Sequence, residues 1–282
     1  MYYSDFNEKS LSFSCSEQID SIEQLNSFLS RHKHNRKLFF RGVNEAKYKL
    51  YTSAQRKWLI ENVKTNCGGA LYSDFVKGLI RRFYHLRESL MKRYFKCIKL
   101  RINALNAMCY MQHYGAPTPM LDFTTDIKIA LFFMILDAKS DNSFDIDGYC
   151  SLYTIEKREC TNVELFHYEN EQKDFLELIY FDKSKLYYID FAQTSKRNQF
   201  SMFTKPNNLN MVAQKGVLLL HNEEEEPIEK KFSVNCYNIH KSLIPYIESY
   251  LKSKGVTKGK LFPQPEAIAK ICTDSIYKNK IK

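Results

Sequence analysis

The sequence has little of several residue types, and each shortage narrows the classes of protein it can be. One tryptophan, nine glycines and seven prolines in 282 residues, with no internal repeat or low-complexity linker, are typical of a folded soluble chain. No apolar run approaches the ~20 residues that span a bilayer. The N-terminus, Met1–Asp5, has neither the basic nor the apolar part of a signal peptide. A cytoplasmic protein without membrane contact is therefore expected.

Signatures of metal and nucleotide sites are also missing. The eight cysteines are spread singly, and none forms a C-x-x-C pair or a zinc-finger pattern with histidine, so no metal site is expected. Scattered cysteines of this kind fit a reducing compartment and buried free thiols. No P-loop, Rossmann fingerprint, H-E-x-x-H or G-x-S-x-G motif occurs. Any activity must rest on a site that these motifs do not describe.

Positive charge, in contrast, is abundant and unevenly placed. The formal net charge is +10, and the stretch Lys77–Arg101 holds nine basic residues against one acid. Such an excess favours binding to a polyanion, either nucleic acid or an acidic protein, with Arg81, Arg82, Arg93 and Lys96 as the candidate contacts. The alternative is an ordinary solvated helix face in a basic protein.

Hydrophobic periodicity predicts a single α+β domain. Helical spacing is strongest from Leu71 to His113, where basic residues lie between the apolar ones, and one long or kinked helix is expected there. Further helices are predicted at 22–29, 127–136, 172–180, 242–251 and 265–276. Strands are predicted at 38–42, 119–123, 149–155, 186–191, 216–220 and 232–239. The pattern therefore predicts an irregular segment at 1–20 and a domain at 21–282, whose helical N-terminal half packs on a mixed or antiparallel sheet.

The central stretch Gln112–Thr125 organises this arrangement. A helix cannot continue through Gly115 and Pro117, so a sharp turn and a short strand should follow, with Asp122 near the strand end. Polar residues at a strand-to-helix junction are commonly placed to meet a ligand.

An arginine near the end of an apolar strand gives a second candidate. Arg41 ends the run Leu38–Phe40, and a buried guanidinium needs a carboxylate or a ligand anion. Asp122 is the natural carboxylate, and the pair is either a structural salt bridge or part of a ligand site. Gln112, His113, Thr124 and Gln214 are read in the same two ways, because each could simply satisfy backbone groups at turns.

Five segments together resemble a known family, the FRG domain, named for its Phe-Arg-Gly motif. They are Phe39-Phe40-Arg41-Gly42, Tyr48-x-Leu50 with Arg56, Gln112 to Thr118, Leu121-Asp122-Phe123-Thr124 with Ala130 to Phe133, and Gln214-Lys215-Gly216. Gly255 and Leu261-Phe262-Pro263 are similar as well. One departure is Pro119, where the family usually has arginine. The resemblance implies a bacterial or phage origin and a part in phage defence.

A weaker similarity connects the same segments to ADP-ribosyltransferases and implies an NAD-binding fold. Phe40-Arg41-Gly42 resembles the strand that begins their NAD site. Phe123-Thr124-Thr125 resembles their aromatic-Ser-Thr-Ser strand, and Gln214-Lys215-Gly216 resembles their Gln/Glu-x-Glu segment. Gly216 stands where that family has its catalytic glutamate.

These resemblances imply an enzyme that transfers ADP-ribose from NAD or hydrolyses NAD. Arg41 would bind the pyrophosphate, Asp122 and Thr124 would act at the ribose, and Gln214 would position an acceptor. Gly42 would let the backbone approach the ligand, and the remaining cofactor contacts would come from Arg56, Gln112 and His113. The alternative function is a non-catalytic module that binds nucleic acid or protein through Lys77–Arg101.

Overall fold

A mixed β-sheet forms the middle of the protein. We analysed a computed structural model, which describes residues 1–33, 35–86, 88–100, 103–163, 183–191 and 208–264. Within those residues the sheet has eight strands. They are β1 (Cys15–Ile19), β2 (Leu38–Val43), β3 (Met120–Thr124), β4 (Tyr149–Glu156), β5 (Cys160–Asn162), β6 (Leu186–Asp190), β7 (Gly216–Leu220) and β8 (Val234–His240).

The sheet consists of two halves that meet along a weak seam. The strand order is β1-β8-β4-β2-β3-β7-β6-β5, with parallel pairing only at the two edges, β1 with β8 and β5 with β6. Neighbouring strands share three to seven residue pairs at six of the seven junctions. At the central junction, β2 and β3 share a single pair, Phe40 opposite Thr124. We call this junction the seam.

Helices cover the sheet and alternate with its strands along the chain. They are α1 (Phe6–Ser10), α2 (Ile22–His32), α3 (Ser53–Ile60), α4 (Val63–Asn66), α5 (Tyr72–Leu86), α6 (Glu88–Cys97), α7 (Ala104–His113), α8 (Ile127–Ile135), α9 (Leu209–Ala213), α10 (Ile228–Lys231), α11 (Ile244–Ser253) and α12 (Lys258–Leu261). This confirms the α+β class and the mixed sheet. A distinct helical N-terminal half is not clearly shown, because that half also supplies β1, β2 and β3. Two predicted helices, 172–180 and 265–276, lie outside the described residues.

The core has two groups of buried side chains that lie on different halves of the sheet, and a third group, with Phe39, Phe123 and Leu219, that spans both halves. One group of buried side chains fills the space between α2, α8, α11 and the β1-to-β2 half, and it includes Phe28, Phe40, Leu131 and Ile247. A second group lies under α3, α5 and α7 against the other half. The cavity described below lies where these two groups of helices part. No helix in the described ranges is long and apolar enough to cross a bilayer.

The predicted long helix from Leu71 to His113 is wrong, since three helices occupy that stretch. After α6 the chain turns at Lys99, which has a left-handed backbone with φ 53° and cannot continue a helix. Asn103 then caps a new helix, its side chain accepting a hydrogen bond from the Asn106 backbone N–H. Hydrophobic periodicity continues across this break between α6 and α7, which is why the sequence alone does not reveal it.

The segment 1–20, predicted to be irregular, is also different in the structure. It contains α1 and the edge strand β1, and it is anchored by Lys9, whose side chain is fully buried. The Lys9 ammonium donates to Ala46 O at 2.6 Å and to Ser151 Oγ and Asn238 Oδ1 at 2.7 Å each. These three acceptors hold the N-terminal segment against β4 and β8.

Gly42 is required by the packing of α8 on β2. A Cβ added at Gly42 would lie 1.9 Å from the Ala130 carbonyl oxygen and 2.7 Å from Met134 Cβ. The close approach that this glycine permits is therefore that of a helix. We expect Gly42→Ala to lower the free energy of unfolding by about 3 kcal/mol, measured by urea denaturation, because backbone atoms must move.

The matched control is Gly78→Ala within α5. A Cβ at that position meets nothing within 4 Å, and alanine favours a helix over glycine by ~1 kcal/mol, so this variant should be slightly more stable. Equal stability of the two variants would contradict the packing argument.

Candidate active site

A cavity opens at the seam and draws its walls from both halves of the sheet. Its volume is about 460 Å³, within the range of small-molecule sites. The polar side chains that line it are Arg41, Asn44, Gln112, His113, Asp122, Thr124 and Gln214. The apolar lining includes Phe133, Leu136, Phe191, Met211 and Phe262. The lining therefore combines charged and polar side chains with aromatic rings, and we call Phe133 and Phe262 the aromatic wall.

The cavity exists because β2 and β3 diverge directly after their single pair. If the antiparallel register continued beyond Phe40 and Thr124, Gly42 would face Asp122. Instead the guanidinium of Arg41 occupies the gap, and its Nη1 donates to the Asp122 carbonyl oxygen at 2.6 Å. A side chain thus replaces the main-chain ladder at this point.

Arg41 keeps hydrogen-bonding capacity after making this contact. Its Nε is buried and has no partner among the described residues. Burial lowers the pKa of Arg41, the positive charge of Arg56 adds to that effect, and the negative charge of Asp122 opposes it. An anion at Nε would satisfy the orphan donor and offset the cost of burial.

The Asp122 carboxylate is held by a different partner. Its Oδ2 accepts a hydrogen bond from Gln112 Nε2 at 2.6 Å, and the residue is exposed to the cavity. The Arg41–Asp122 contact is therefore made through the main chain of Asp122, rather than as the carboxylate salt bridge that the sequence suggested.

Gln112 is oriented from behind by a buried threonine. Thr118 Oγ1 donates to Gln112 Oε1, so the amide nitrogen must face Asp122. Thr118 is fixed in turn by Ser53, whose hydroxyl accepts from the Thr118 N–H at 2.9 Å, at the first residue of α3. This chain of hydrogen bonds presents the Asp122 side chain to the cavity in a set orientation.

His113 lines the cavity beside this chain. Burial lowers its pKa, and the charge of Asp122 opposes that shift. A lowered pKa keeps the imidazole neutral at pH 7, so it can donate or accept a hydrogen bond there.

Thr124 and Gln214 line the cavity as predicted, but their polar atoms make structural contacts. Thr124 Oγ1 donates to Gln214 O at 2.8 Å and accepts from the Asp126 N–H at 3.2 Å. The Gln214 amide donates to Leu261 O at 3.0 Å. Gln214 therefore positions α12 and, with it, the ring of Phe262 at the cavity wall.

Two groups of predicted residues lie elsewhere. Arg56 is not part of the cavity wall, and its Nη1 donates to Tyr51 O at 2.9 Å. The candidate nucleic-acid contacts Arg81, Arg82, Arg93 and Lys96 are on α5 and α6, outside the cavity.

The aromatic wall was missed by reasoning from the residues themselves. Phe133 comes from α8 and Phe262 follows α12, and their rings meet edge to face at 5.9 Å between centroids. The apolar run 127–136 gives no sign of which face meets a ligand. Only the family resemblance pointed to Phe262.

Metal and thiol chemistry find no support in the described residues. No group of three or more His, Cys, Asp or Glu side chains in those ranges could hold a metal ion. The described cysteines are all free. Three of them, Cys109, Cys150 and Cys236, are buried, while Cys15, Cys67 and Cys97 are exposed, so the expectation of buried thiols holds only in part.

Comparison with known proteins gives one match. Residues 36–143 match the model of the FRG domain. This range contains Arg41, Gln112, Asp122 and Thr124, but it ends before Gln214. No curated protein and no solved structure matches the chain.

Proposed function

We propose that the seam cavity, several of whose lining residues lie in the range 36–143 that matches the FRG domain model, binds NAD and breaks its nicotinamide–ribose bond. The released ADP-ribose passes to an acceptor or to water. The proposal rests on two side chains that come from the two sides of the seam. One is Arg41, whose buried Nε lacks a partner among the described residues, and the other is Asp122, which Gln112 holds in place by a hydrogen bond.

Arg41 suits the pyrophosphate of NAD. The guanidinium presents several N–H donors in one plane, and phosphate oxygens accept from such a fork in pairs. Nη1 is used by the Asp122 carbonyl, whereas Nε still lacks a partner among the described residues. A phosphate oxygen at Nε would complete the pattern.

The aromatic wall suits a flat heterocycle. Phe133 and Phe262 line the same cavity as Arg41 and Asp122, and rings of this kind pack on a nicotinamide or adenine ring. A nucleotide is a ligand that combines such a flat heterocycle with an anionic phosphate.

The three segments that resemble ADP-ribosyltransferases lie on three adjacent strands. Arg41 is on β2, Thr124 ends β3, and Gly216 begins β7, where it is paired with Thr124. Gly216 supplies no carboxylate, so the negative charge at the cavity comes from Asp122. We assign to Asp122 the stabilisation of the positive charge that develops on the ribose as nicotinamide leaves.

Thermal denaturation with and without NAD tests the binding step. NAD should raise the melting temperature of the wild type and of Arg31→Ala, because a ligand that binds only the folded state stabilises it. Arg31 is an exposed arginine paired with Glu17, far from the cavity, and serves as the control. The shift should vanish in Arg41→Ala, and Arg41→Lys should recover little of it, since lysine lacks the planar fork.

The proposal is wrong if NAD, at concentrations up to several millimolar, shifts none of the four proteins while circular dichroism shows each to be folded. It is also wrong if Arg41→Ala responds to NAD as the wild type does.

The phage-defence role belongs to the same proposal. Its support is the FRG resemblance alone, together with the general fact that loss of NAD halts the metabolism on which a phage depends.

A further inference from the structure

The helices α5 and α6 carry an exposed basic surface. Arg81, Arg82, Arg93 and Lys96 are all exposed, and the described residues provide none of them with an ion-pair partner. Lys77, at the start of the same surface, lies 3.9 Å from the Asp74 carboxylate. We call the four residues the basic surface.

A line of aromatic rings connects this surface to the cavity. Tyr94 of α6 contacts Tyr110 of α7 at 5.6 Å between ring centroids, and Tyr110 contacts Tyr114 at 4.6 Å. Tyr114 meets His113 edge to face at 5.0 Å, and His113 lines the cavity. Tyr114 is 59% exposed, which is unusual for a large ring that adjoins a site.

We propose that a single-stranded nucleic acid binds along the basic surface, stacks a base on Tyr114, and is the acceptor of ADP-ribose at the cavity mouth. The acceptor role rests on the proposed function. The binding itself does not.

Charge and stacking together favour nucleic acid over an acidic protein. An acidic protein would need only the positive charge, and the exposed Tyr114 beside His113 would have no part in its recognition. Single strands are bound by a basic track combined with aromatic side chains, because every base has a flat face that stacks. A double-stranded helix keeps its bases stacked on one another and could not present one to Tyr114.

The transfer step balances without any further reactant. The bond between ribose C1′ and the nicotinamide nitrogen breaks, and nicotinamide leaves with the electron pair. A nitrogen or oxygen of the presented base forms the new bond to C1′ and releases one proton to solvent. No oxidation or reduction takes place.

Fluorescence anisotropy with labelled 20-nucleotide DNA and RNA strands tests the binding, in the absence of NAD. The wild type should bind, and its affinity should fall steeply with added salt, since binding releases counterions. The double variant Arg93→Glu/Lys96→Glu should bind at least about tenfold more weakly. The control Lys33→Glu/Lys252→Glu has the same charge change at exposed sites away from the surface, and it should bind nearly as the wild type does.

A substitution at Tyr114 separates stacking from charge. Tyr114→Ala should weaken binding several-fold with an unchanged salt slope, whereas Tyr114→Phe should not, because only the ring is needed. Equal losses in the two double variants, no effect of Tyr114→Ala, or binding of an acidic polypeptide as tightly as the oligonucleotides would overturn the docking proposal.

Incubation of the oligonucleotides with NAD labelled in its adenylate phosphate tests the acceptor role. Label on the strand that disappears in Arg93→Glu/Lys96→Glu, while that variant still releases nicotinamide, supports it. Nicotinamide release with label only in free ADP-ribose overturns the acceptor role and leaves the NAD proposal intact. Oligonucleotide binding without any NAD turnover leaves the docking surface intact and overturns both the acceptor role and the proposed function.

Discussion

Asp122→Asn is expected to slow NAD breakdown by roughly 100- to 1,000-fold while NAD affinity changes little. In the proposed function Asp122 places negative charge beside the ribose, and removing one preorganised electrostatic group from an active site has effects of this size. The amide oxygen of asparagine can still accept from Gln112 Nε2, so the local hydrogen bonds are retained. Single-turnover release of nicotinamide measures the chemical step, and the NAD-induced thermal shift measures binding.

Asp147→Asn provides the control for this variant. Asp147 is an exposed carboxylate paired with Lys47, remote from the cavity, and its replacement should leave the rate unchanged. A rate for Asp122→Asn within threefold of the wild type would remove Asp122 from the chemistry. A loss confined to NAD affinity would make it a binding residue.

Lys9→Met is expected to lower the free energy of unfolding by about 4 kcal/mol. Methionine fills the space, but it leaves Ala46 O and Ser151 Oγ without the Lys9 donor in the protein interior, and each unsatisfied acceptor costs ~1–3 kcal/mol. Asn238 Oδ1 loses one of its donors and keeps that of Ser151. Urea denaturation measures the loss. Lys33→Met, an exposed lysine at the end of α2, is the control and should be nearly neutral.

The pH dependence provides an independent signature of the same lysine. Burial lowers the pKa of Lys9, so above that lowered pKa the folded state binds fewer protons than the unfolded state. Between that lowered pKa and ~10.4, the pKa of a lysine in the unfolded chain, the stability of the wild type relative to Lys9→Met should increase as pH rises. A difference between the two proteins that stays constant or shrinks with pH would contradict a buried, destabilised ammonium.

The parts of the site that could be predicted are those whose cause is local. Arg41 follows an apolar run in a strand, so the sequence predicts that its buried charge has a partner. The turn at Gly115–Pro117 determines where α7 ends and where β3 can begin. Gly115 indeed has a left-handed backbone with φ 76°. Both features follow from steric and charge costs within a few residues.

The parts that could not be predicted depend on distant contacts. Arg41 donates to the Asp122 carbonyl because β2 and β3 separate there, and no residue type in either strand predicts that separation. Lys9 has the sequence character of an exposed residue, and only the convergence of β4, β8 and the loop at Ala46 makes it a buried anchor. Phe262 reaches the cavity because Gln214 holds the carbonyl of Leu261.

The single residue pair at the seam has a mechanical consequence. Within each half of the sheet, β1-β8-β4-β2 and β3-β7-β6-β5, neighbouring strands are joined by several residue pairs. Between the halves there is only the pair Phe40–Thr124, so little main-chain bonding resists rotation of one half against the other. A ligand that contacts Arg41 on one side of the seam and Asp122 and Phe262 on the other would connect the two halves of the sheet. Filling the cavity should therefore make the protein as a whole more rigid. Hydrogen exchange of the β2 and β3 amides should become slower, and that of the outer strands should change less.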